Sequence, residues 1–260
     1  MRVGIAGYGS IGQFIAELFG ARHDLVLYDP PKGLGSAEAL DDCDFVFICV
    51  PTPPRPDGSC DTTAVEEMVA SVTPRRALIC HSTVAIGTTE RLLQLYGKPL
   101  VYVPEYAGER PDHPYRNVEN QTFLFLGGRP GETAAVEELY RTVLPDATRY
   151  YHVPPTVAEV VKYMENAFLA LKVTFCNEFY DLCRALGVDY ELVRSLWVQD
   201  FRIGESHTRV TPERGYGGKC LPKDVAAVCA TARSLGVPLE LLETAQRVNE
   251  RVRSVLPAFV

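Results

Sequence analysis

The chain has 260 residues, 47% of them hydrophobic and 23% charged, with a formal net charge of −7 at pH 7. That length holds one large domain or two small ones with a substantial core, and the composition is that of a soluble globular protein. The acidic balance argues against nucleic acid or an anionic membrane as partner. No stretch reaches the ~18 apolar residues that a spanning helix needs, so no membrane segment is expected.

The eight cysteines include no C-x-x-C pair, and several lie in apolar runs. This suits reduced, mostly buried thiols in a cytoplasmic protein, not a disulfide framework or a zinc site, and no metal is expected. The N-terminal glycines are too regular for a leader peptide.

Residues 2–6 (Arg-Val-Gly-Ile-Ala) read as a short buried strand, and Gly7-Tyr8-Gly9-Ser10-Ile11-Gly12 follows at once. Residues 11–21 have helical spacing, with Ile11, Phe14, Ile15, Leu18 and Phe19 on one face. A second strand, Leu25-Val26-Leu27-Tyr28, ends at Asp29. Strand, glycine motif, helix, strand and acid in this order form a dinucleotide fingerprint. The glycines allow a tight turn and close pyrophosphate approach, and the helix start offers unpaired N–H groups. Asp29 can accept hydrogen bonds from both ribose hydroxyls and would repel a 2′-phosphate. Pro30 and Pro31 follow it, with no Arg, so NAD is expected over NADP.

Further strands are predicted at 44–50, 77–80, 100–103 and 122–126, with helices near 62–72 and 88–96. This alternation argues for an α/β fold with a Rossmann-like doubly wound parallel sheet. Ligands of such sheets sit beyond the carboxyl ends of the strands. Those ends carry Pro51-Thr52-Pro53, His81-Ser82-Thr83 and Pro104-Glu105-Tyr106-Ala107-Gly108-Glu109.

From Thr156 to Leu186 there is no proline and no glycine. The spacing predicts one long helix of about 45 Å. Thr156 and Glu159 are placed for a capping box, and Gly187 for the C-terminal stop. Its apolar residues cover more than one face, so burial in a symmetric dimer through the 156–186 helix is expected. Lys162 and Asn166 share one face of it; a snorkelling lysine and a core-satisfied amide would be the bland account. A shorter helix is predicted near 189–198, an irregular segment at 199–219, and helices at about 223–235 and 238–254, making the second part an all-α domain. In Gly215-Tyr216-Gly217-Gly218-Lys219-Cys220-Leu221-Pro222-Lys223-Asp224, three glycines lead to one cysteine with cations beside it. Such a thiol can ionise and act as a nucleophile; a surface turn with an inert cysteine is the competing reading.

Taken together these stretches resemble the UDP-glucose/GDP-mannose dehydrogenase family across nearly the whole chain. The resemblance rests on Gly7-x-Gly9-x-x-Gly12, Val50-Pro51-Thr52-Pro53 with Asp57-Gly58 and Asp61, and Ser82-Thr83-Val84 with Gly87-Thr88-Thr89. It continues through Pro104-Glu105 with Glu109, Ala158-Glu159 with Lys162 and Asn166, Asn177-Glu178, Arg202-Ile203-Gly204, and Gly215-x-Gly217-Gly218-x-Cys220 with Lys223-Asp224. It implies an NAD-binding domain over 1–153 and a helical dimerisation and catalytic domain over 154–260. The family's third domain, which holds the substrate's nucleotide, would begin about where this chain stops and is expected to be absent.

The resemblance also implies a four-electron, NAD-dependent oxidation of a primary alcohol to a carboxylate, on a nucleotide sugar or a smaller relative such as a nucleotide or sugar phosphate. Cys220 would form the thiohemiacetal and then the thioester. Lys162 and Asn166 would stabilise the oxyanion. Asp224, through a water held by Thr83, or Lys162 would be the base, and Glu109 would activate the hydrolytic water with Glu105 helping to hold it. Cofactor contacts would come from Gly7, Tyr8, Gly9, Ser10, Ile11, Gly12, Asp29, Val50, Pro51, Thr52, Ser82, Thr83 and Lys223. Substrate contacts would come from Glu105, Tyr106, Lys162, Asn166, Tyr216 and Gly217, with Arg202 reaching into the neighbouring subunit's site.

The chain departs from the family pattern at Ala107-Gly108, at Arg110, through Asp112-His113-Pro114-Tyr115-Arg116, and at Lys219 before the cysteine. Two rival readings remain at this level. One is a two-electron dehydrogenase of the β-hydroxyacid or 6-phosphogluconate type, against which Cys220 argues. The other is a non-catalytic NAD-binding remnant.

Overall fold

The computed structural model describes residues 1–108 and 112–254. Glu109, expected to activate water, lies outside the described residues. The chain divides into two compact units, Met1–Arg55 with Cys60–Lys162, and Pro56–Ser59 with Tyr163–Val260.

The first unit is built on seven strands: β1 (Arg2–Ala6), β2 (Asp24–Tyr28), β3 (Phe45–Ile48), β4 (Ala77–Cys80), β5 (Leu100–Tyr102), β6 (Phe123–Gly127) and β7 (Arg149–Val153), in the order β2-β1-β3-β4-β5-β6-β7. The first five are mutually parallel. Their residues alternate between two cores. Val3, Ile5, Phe45 and Phe47 meet Phe14, Ile15 and Phe19 of α1 (Ser10–Gly20) on one face. Ala6, Val46 and Ile48 face Leu40 of α2 (Glu38–Asp41), Val65 and Val69 of α3 (Thr63–Ser71), and Leu92 and Leu93 of α4 (Thr88–Tyr96) on the other. Burial on both faces explains the unbroken apolar runs read from the sequence. Each fully buried Phe or Ile contributes roughly 1.5–3 kcal/mol relative to an exposed one.

The parallel run ends at β5. β6 pairs with it antiparallel, through Tyr102 and Gly127, and β7 is parallel to β6. A parallel neighbour needs a crossover connection. Among the described residues, the segment from β5 to β6 holds only the single 3-10 turns Pro114–Arg116 and Val118–Asn120. The helix α5 (Pro130–Arg141) and strand β7 had no counterpart in the sequence reading.

The longest helix, α6, runs Pro155–Leu186, and Gly187 ends it at φ +69°. The expected capping box is not made. Glu159 accepts hydrogen bonds from the backbone N–H groups of Gly87 (2.6 Å) and Thr89 (2.9 Å), so it serves the start of α4 instead of its own helix. The side chain is fully buried, and α4 has no cap from its own segment. Two orphan N–H donors there are satisfied by one carboxylate.

In the second unit Ala167, Ala170 and Val173 of α6 form a core with Tyr216 of the segment that precedes α8 (Cys220–Ser234), with Val225 and Cys229 of that helix, and with Leu242 of α9 (Glu240–Ser254). Helix α7 (Tyr190–Trp197) adds Tyr190 to a second cluster with Cys176 and Cys183. The segment 199–219 has no regular helix or strand. Side chains anchor it. Arg214 and the N–H of Gly215 bond Asn177 Oδ1 at 2.8 and 3.0 Å, and Asn249 holds Tyr216 by its N–H (2.7 Å) and carbonyl (3.0 Å). A Cβ on Gly215 would lie 2.3 Å from Asn249 Oδ1.

Burial raises the Glu159 carboxyl above its ordinary value. The folded state therefore binds a proton that the unfolded chain has released, and stability falls as pH rises from the unfolded value to the raised one. Glu159→Gln leaves one N–H without its acceptor and should cost about 1–3 kcal/mol. Urea midpoints from acid to neutral pH should show the gap between wild type and variant narrowing as pH rises through that interval. A gap that widens would contradict this account.

Candidate functional site

The chain leaves β1 toward β2 on one side and returns as β3 on the other. That reversal opens a crevice beyond the carboxyl ends of β1 and β3, where ligands of open α/β sheets sit. The glycine turn lies there. Gly7 has φ +91°, and a Cβ on it would come 2.6 Å from the carbonyl oxygen of Cys49. A Cβ on Gly12 would come 2.0 Å from the carbonyl oxygen of Gly7, whereas one on Gly9 would meet nothing within 4 Å. Gly7 and Gly12 are thus required by the protein's own packing. Gly9 keeps a space open on the ligand side. Helix α1 has no side-chain cap, and its first hydrogen bond runs from Gln13 N to Gly9 O. The N–H groups of Ser10, Ile11 and Gly12 stand ahead of that bond, as an anion site requires.

Asp29 Oδ2 accepts from Tyr8 N at 2.8 Å, and Lys32 Nζ donates to the Tyr8 carbonyl at 2.5 Å. The carboxylate is fixed through one oxygen, which leaves Oδ1 for a ribose hydroxyl. Residues Val50, Pro51, Thr52, Ser82 and Thr83 come together at the ends of β3 and β4. Ser82 Oγ donates to Val50 O, and Thr52 Oγ1 to Thr83 O, both at 2.7 Å. This open glycine cradle, the uncapped helix start and the fixed acid fit NAD.

At the end of β5, Glu105 folds back on its own segment. Its Oε1 accepts from the N–H groups of Tyr106 (2.7 Å) and Ala107 (2.5 Å). Its carbonyl accepts from Lys162 Nζ at 2.7 Å, and that ammonium lies 4.6 Å from the centre of the Tyr106 ring. A neutral carbonyl and an aromatic face hold the cation, and two of its three N–H donors remain. Beneath this group sits a residue that the motif reading passed over. His81 is buried and stacked on Phe47, with Nε2 2.6 Å from the Tyr140 hydroxyl and Nδ1 3.7 Å from Glu105 Oε2. Burial pushes its pKa down, which keeps the ring neutral near pH 7. Its signal in the sequence was its place at the end of β4, directly before Ser82-Thr83.

In the second unit, Asn166 Nδ2 donates to Asp224 Oδ2 and Lys223 Nζ to Asp224 Oδ1, each at 2.6 Å. Asp224 is only 2% exposed. Cys220 is the first residue of α8, one turn before Asp224 on the same helix face, and it is the exposed cysteine among the eight. The helix was expected to begin at 223; Gly218, at φ +75°, turns the chain early enough for it to start at the cysteine, with Pro222 tolerated in the first turn. Tyr216 is buried, and Gly217 lies against the Arg253 guanidinium, which a Cβ would approach to 2.8 Å. Arg202 is not part of this cluster: its guanidinium pairs with Asp200, Nε lying 2.9 and 3.0 Å from the two carboxylate oxygens, and the side chain is 75% exposed.

Among the described residues no group of three or more His, Cys, Asp or Glu side chains could hold a metal, and no helix is long and apolar enough to cross a membrane.

Two family models match the chain: the NAD binding domain of the UDP-glucose/GDP-mannose dehydrogenase family over residues 35–144, and the central domain of that family over residues 156–251. A UDP-glucose 6-dehydrogenase from Pseudomonas aeruginosa is 34% identical over 240 residues, covering 85% of this chain and 51% of the relative. A GDP-mannose 6-dehydrogenase from the same organism is 28% identical over 235 residues, with 82% and 52% covered. The solved structure of a UDP-glucose dehydrogenase from Pyrobaculum islandicum superposes with a TM-score of 0.83 at 29% identity, covering 96% of this chain and 68% of that one. The chain spans about half the length of the curated relatives it matches. With its glycine cradle, its Lys162–Asn166 helix and its cysteine-led α8, the chain belongs to the UDP-glucose/GDP-mannose dehydrogenase family.

Proposed function

We propose that this chain carries the catalytic part of an NAD-dependent dehydrogenase that oxidises the primary alcohol of a nucleotide sugar, or a smaller related substrate, to a carboxylate. The observation that carries the proposal is the placement of Cys220, an exposed thiol on the first residue of α8, one turn before the buried Asp224. The dipole of a helix favours an anion at its start, which suits a thiolate nucleophile. A two-electron alcohol dehydrogenase has no use for such a thiol.

The overall change is RCH2OH + 2 NAD⁺ + H2O → RCOO⁻ + 2 NADH + 3 H⁺. When bound in the glycine cradle, NAD⁺ would supply the hydride acceptor for each of the two oxidations. In the first, the alcohol loses its proton to a base on the protein, and Asp224 takes that role. The aldehyde carbon is then attacked by the Cys220 sulfur, forming a C–S bond and leaving charge on the oxygen. Lys162 meets that charge with the N–H donors not used on Glu105 O. Asn166 has two amide hydrogens and spends one on Asp224, so the other serves the same oxygen. Loss of the second hydride gives the thioester, and water activated by Glu109 cleaves its C–S bond and returns the thiol. Glu105 supports this arrangement through Lys162.

The active form is a homodimer. One face of α6 carries Met164, Phe168, Phe175, Phe179, Leu182 and Leu186, all exposed. Apolar surface of that extent marks an interaction site, and a second copy of the chain offers the same helix for a two-fold contact. In this reading Arg202, tied to Asp200 on the surface, reaches the neighbouring subunit's site.

Three measurements test this reading. Wild type should form two equivalents of NADH per acid produced; a single equivalent with release of the aldehyde would identify the two-electron rival. Cys220→Ala should lower acid formation on the order of 10³-fold or more while retaining some exchange between alcohol and aldehyde. Acid formation at the wild-type rate would remove the thioester from the mechanism. Phe168→Glu should convert a dimer to a monomer in sedimentation velocity while leaving NAD binding intact. A wild-type chain that sediments as a monomer at tens of micromolar contradicts the dimer.

A further inference from the structure

Beside the glycine turn lies a cavity of about 820 Å³, lined by Gly9, Ser10, Lys32, His113, Arg116 and Asn117 among others. Arg116 belongs to the segment between β5 and β6 that departs from the family's sequence pattern, and it ends the single 3-10 turn Pro114–Arg116. Its guanidinium reaches back to the first residue of α1. Nη2 donates to the Ser10 carbonyl at 3.0 Å and to Ser10 Oγ at 2.7 Å. The group stacks on Phe14, 5.6 Å from the ring centre. The side chain is 13% exposed, and its Nε is buried with no hydrogen-bond partner. The carboxylate paired with it among the described residues is that of Glu17, 3.9 Å away and 72% exposed. A mostly buried cation with an unused donor and, among the described residues, only a long and exposed ion pair is weakly compensated, although the Glu17 and Asp112 carboxyls also line the cavity.

The same place has a surplus of donors from a second source. Helix α1 begins there without a side-chain cap and without an acidic residue in its first turn. The room for a ligand is open as well, since a side chain on Gly9 would touch nothing. The sequence fingerprint accounts for the N–H donors and the space; it does not account for the guanidinium.

We infer that Arg116 is a cofactor-binding residue, which adds a guanidinium to the backbone donors of the Gly7–Gly12 turn as the receptor for the dinucleotide's pyrophosphate. This rests on the NAD reading above. Arg116 does the work electrostatically, and its bond to Ser10 holds the planar group in place beside the turn. Lys32, at the ribose end of the same cavity, contributes a second positive charge.

The test compares three ligands that share adenosine but differ in phosphate: NAD⁺, ADP-ribose and adenosine, each titrated calorimetrically into the full chain. Arg116→Gln keeps a donor for Ser10 and removes the charge. It should raise the Kd of NAD⁺ and of ADP-ribose roughly tenfold, as expected for one charge-assisted contact, and leave adenosine within about twofold. The salt dependence of ADP-ribose binding should become shallower. Arg116→Lys keeps the charge and should fall between wild type and Gln. Equal weakening for all three ligands would mean that Arg116 only shapes the turn, and unchanged affinity for ADP-ribose would also overturn the inference. If Gln does not fold, Lys decides: retained steep salt dependence supports the charge role, and a salt dependence as weak as that of adenosine refutes it. Failure of wild type to bind ADP-ribose would overturn the NAD reading itself.

Discussion

The nucleotide half of this protein depends on one close approach. A Cβ at position 12 would sit 2.0 Å from the carbonyl oxygen of Gly7, so α1 can leave β1 at this angle only if residue 12 is glycine. That approach presses Ile15 and Phe19 of α1 onto Val3, Ile5 and Phe47 of the sheet. It also directs the uncapped start of α1 at the crevice where the chain reverses between β1 and β3. The packing of the core and the presence of an anion site are therefore the same constraint seen from two sides. Any residue that relaxed the turn would move the helix axis, and with it the donors of Ser10, Ile11 and Gly12.

Three buried or half-buried carboxylates show how differently the chain uses one chemical group. Glu159 spends both oxygens on backbone N–H groups of α4, and burial raises its pKa; it is a structural cap. Glu105 turns its Oε1 onto the two peptides that follow it and offers its carbonyl to Lys162. Asp224 is nearly as buried as Glu159, but its partners are an amide and an ammonium. Its oxygens meet side-chain donors, a charge-assisted pair among them, where those of Glu159 meet the backbone. The difference in partners, not the depth of burial, separates the cap from the groups suited to chemistry.

The sequence made the first 29 residues legible because each step there obeys a local rule: an apolar strand, a glycine turn, a 3.6-residue period, then a strand ending in an acid. The long helix was legible for the same reason, since nothing between Thr156 and Leu186 breaks it. What stayed hidden depends on tertiary partners. Glu159 sits three residues after Thr156, as a capping box would have it, yet its partners are 70 and 72 residues away. Strand β7 is a sheet-edge strand whose residues are exposed or only partly buried, so it lacks the apolar run that marked the inner strands. The antiparallel turn at β6 could not be read from Phe123–Gly127, because an apolar strand looks the same in either direction. Of the site, the glycines, Asp29, Lys162 and Cys220 were visible as motif positions. His81 was visible as a strand-end residue and Arg116 as part of a departure from the family pattern, but neither spacing nor composition tells that one lies under Glu105 and the other on Ser10.

Helix α6 shows why periodicity alone could not assign its faces. Counted together, its many apolar residues exceed what one helix face can hold. From Met164 to Phe179 the structure turns small ones inward and most of the large ones outward. The residues turned into the second unit's core are Ala167, Ala170 and Val173, whereas Met164, Phe168, Phe175 and Phe179 are on the exposed side. Small side chains let neighbouring helices come close, so that face is used internally at short range. A lone helix in water would place its large apolar groups inward and its small ones outward, since burial of the large ones stabilises most. With the large groups outside, Phe175 and Phe179, ring centres 4.5 Å apart, form an apolar ridge on the exposed side, the surface on which the proposed dimer rests.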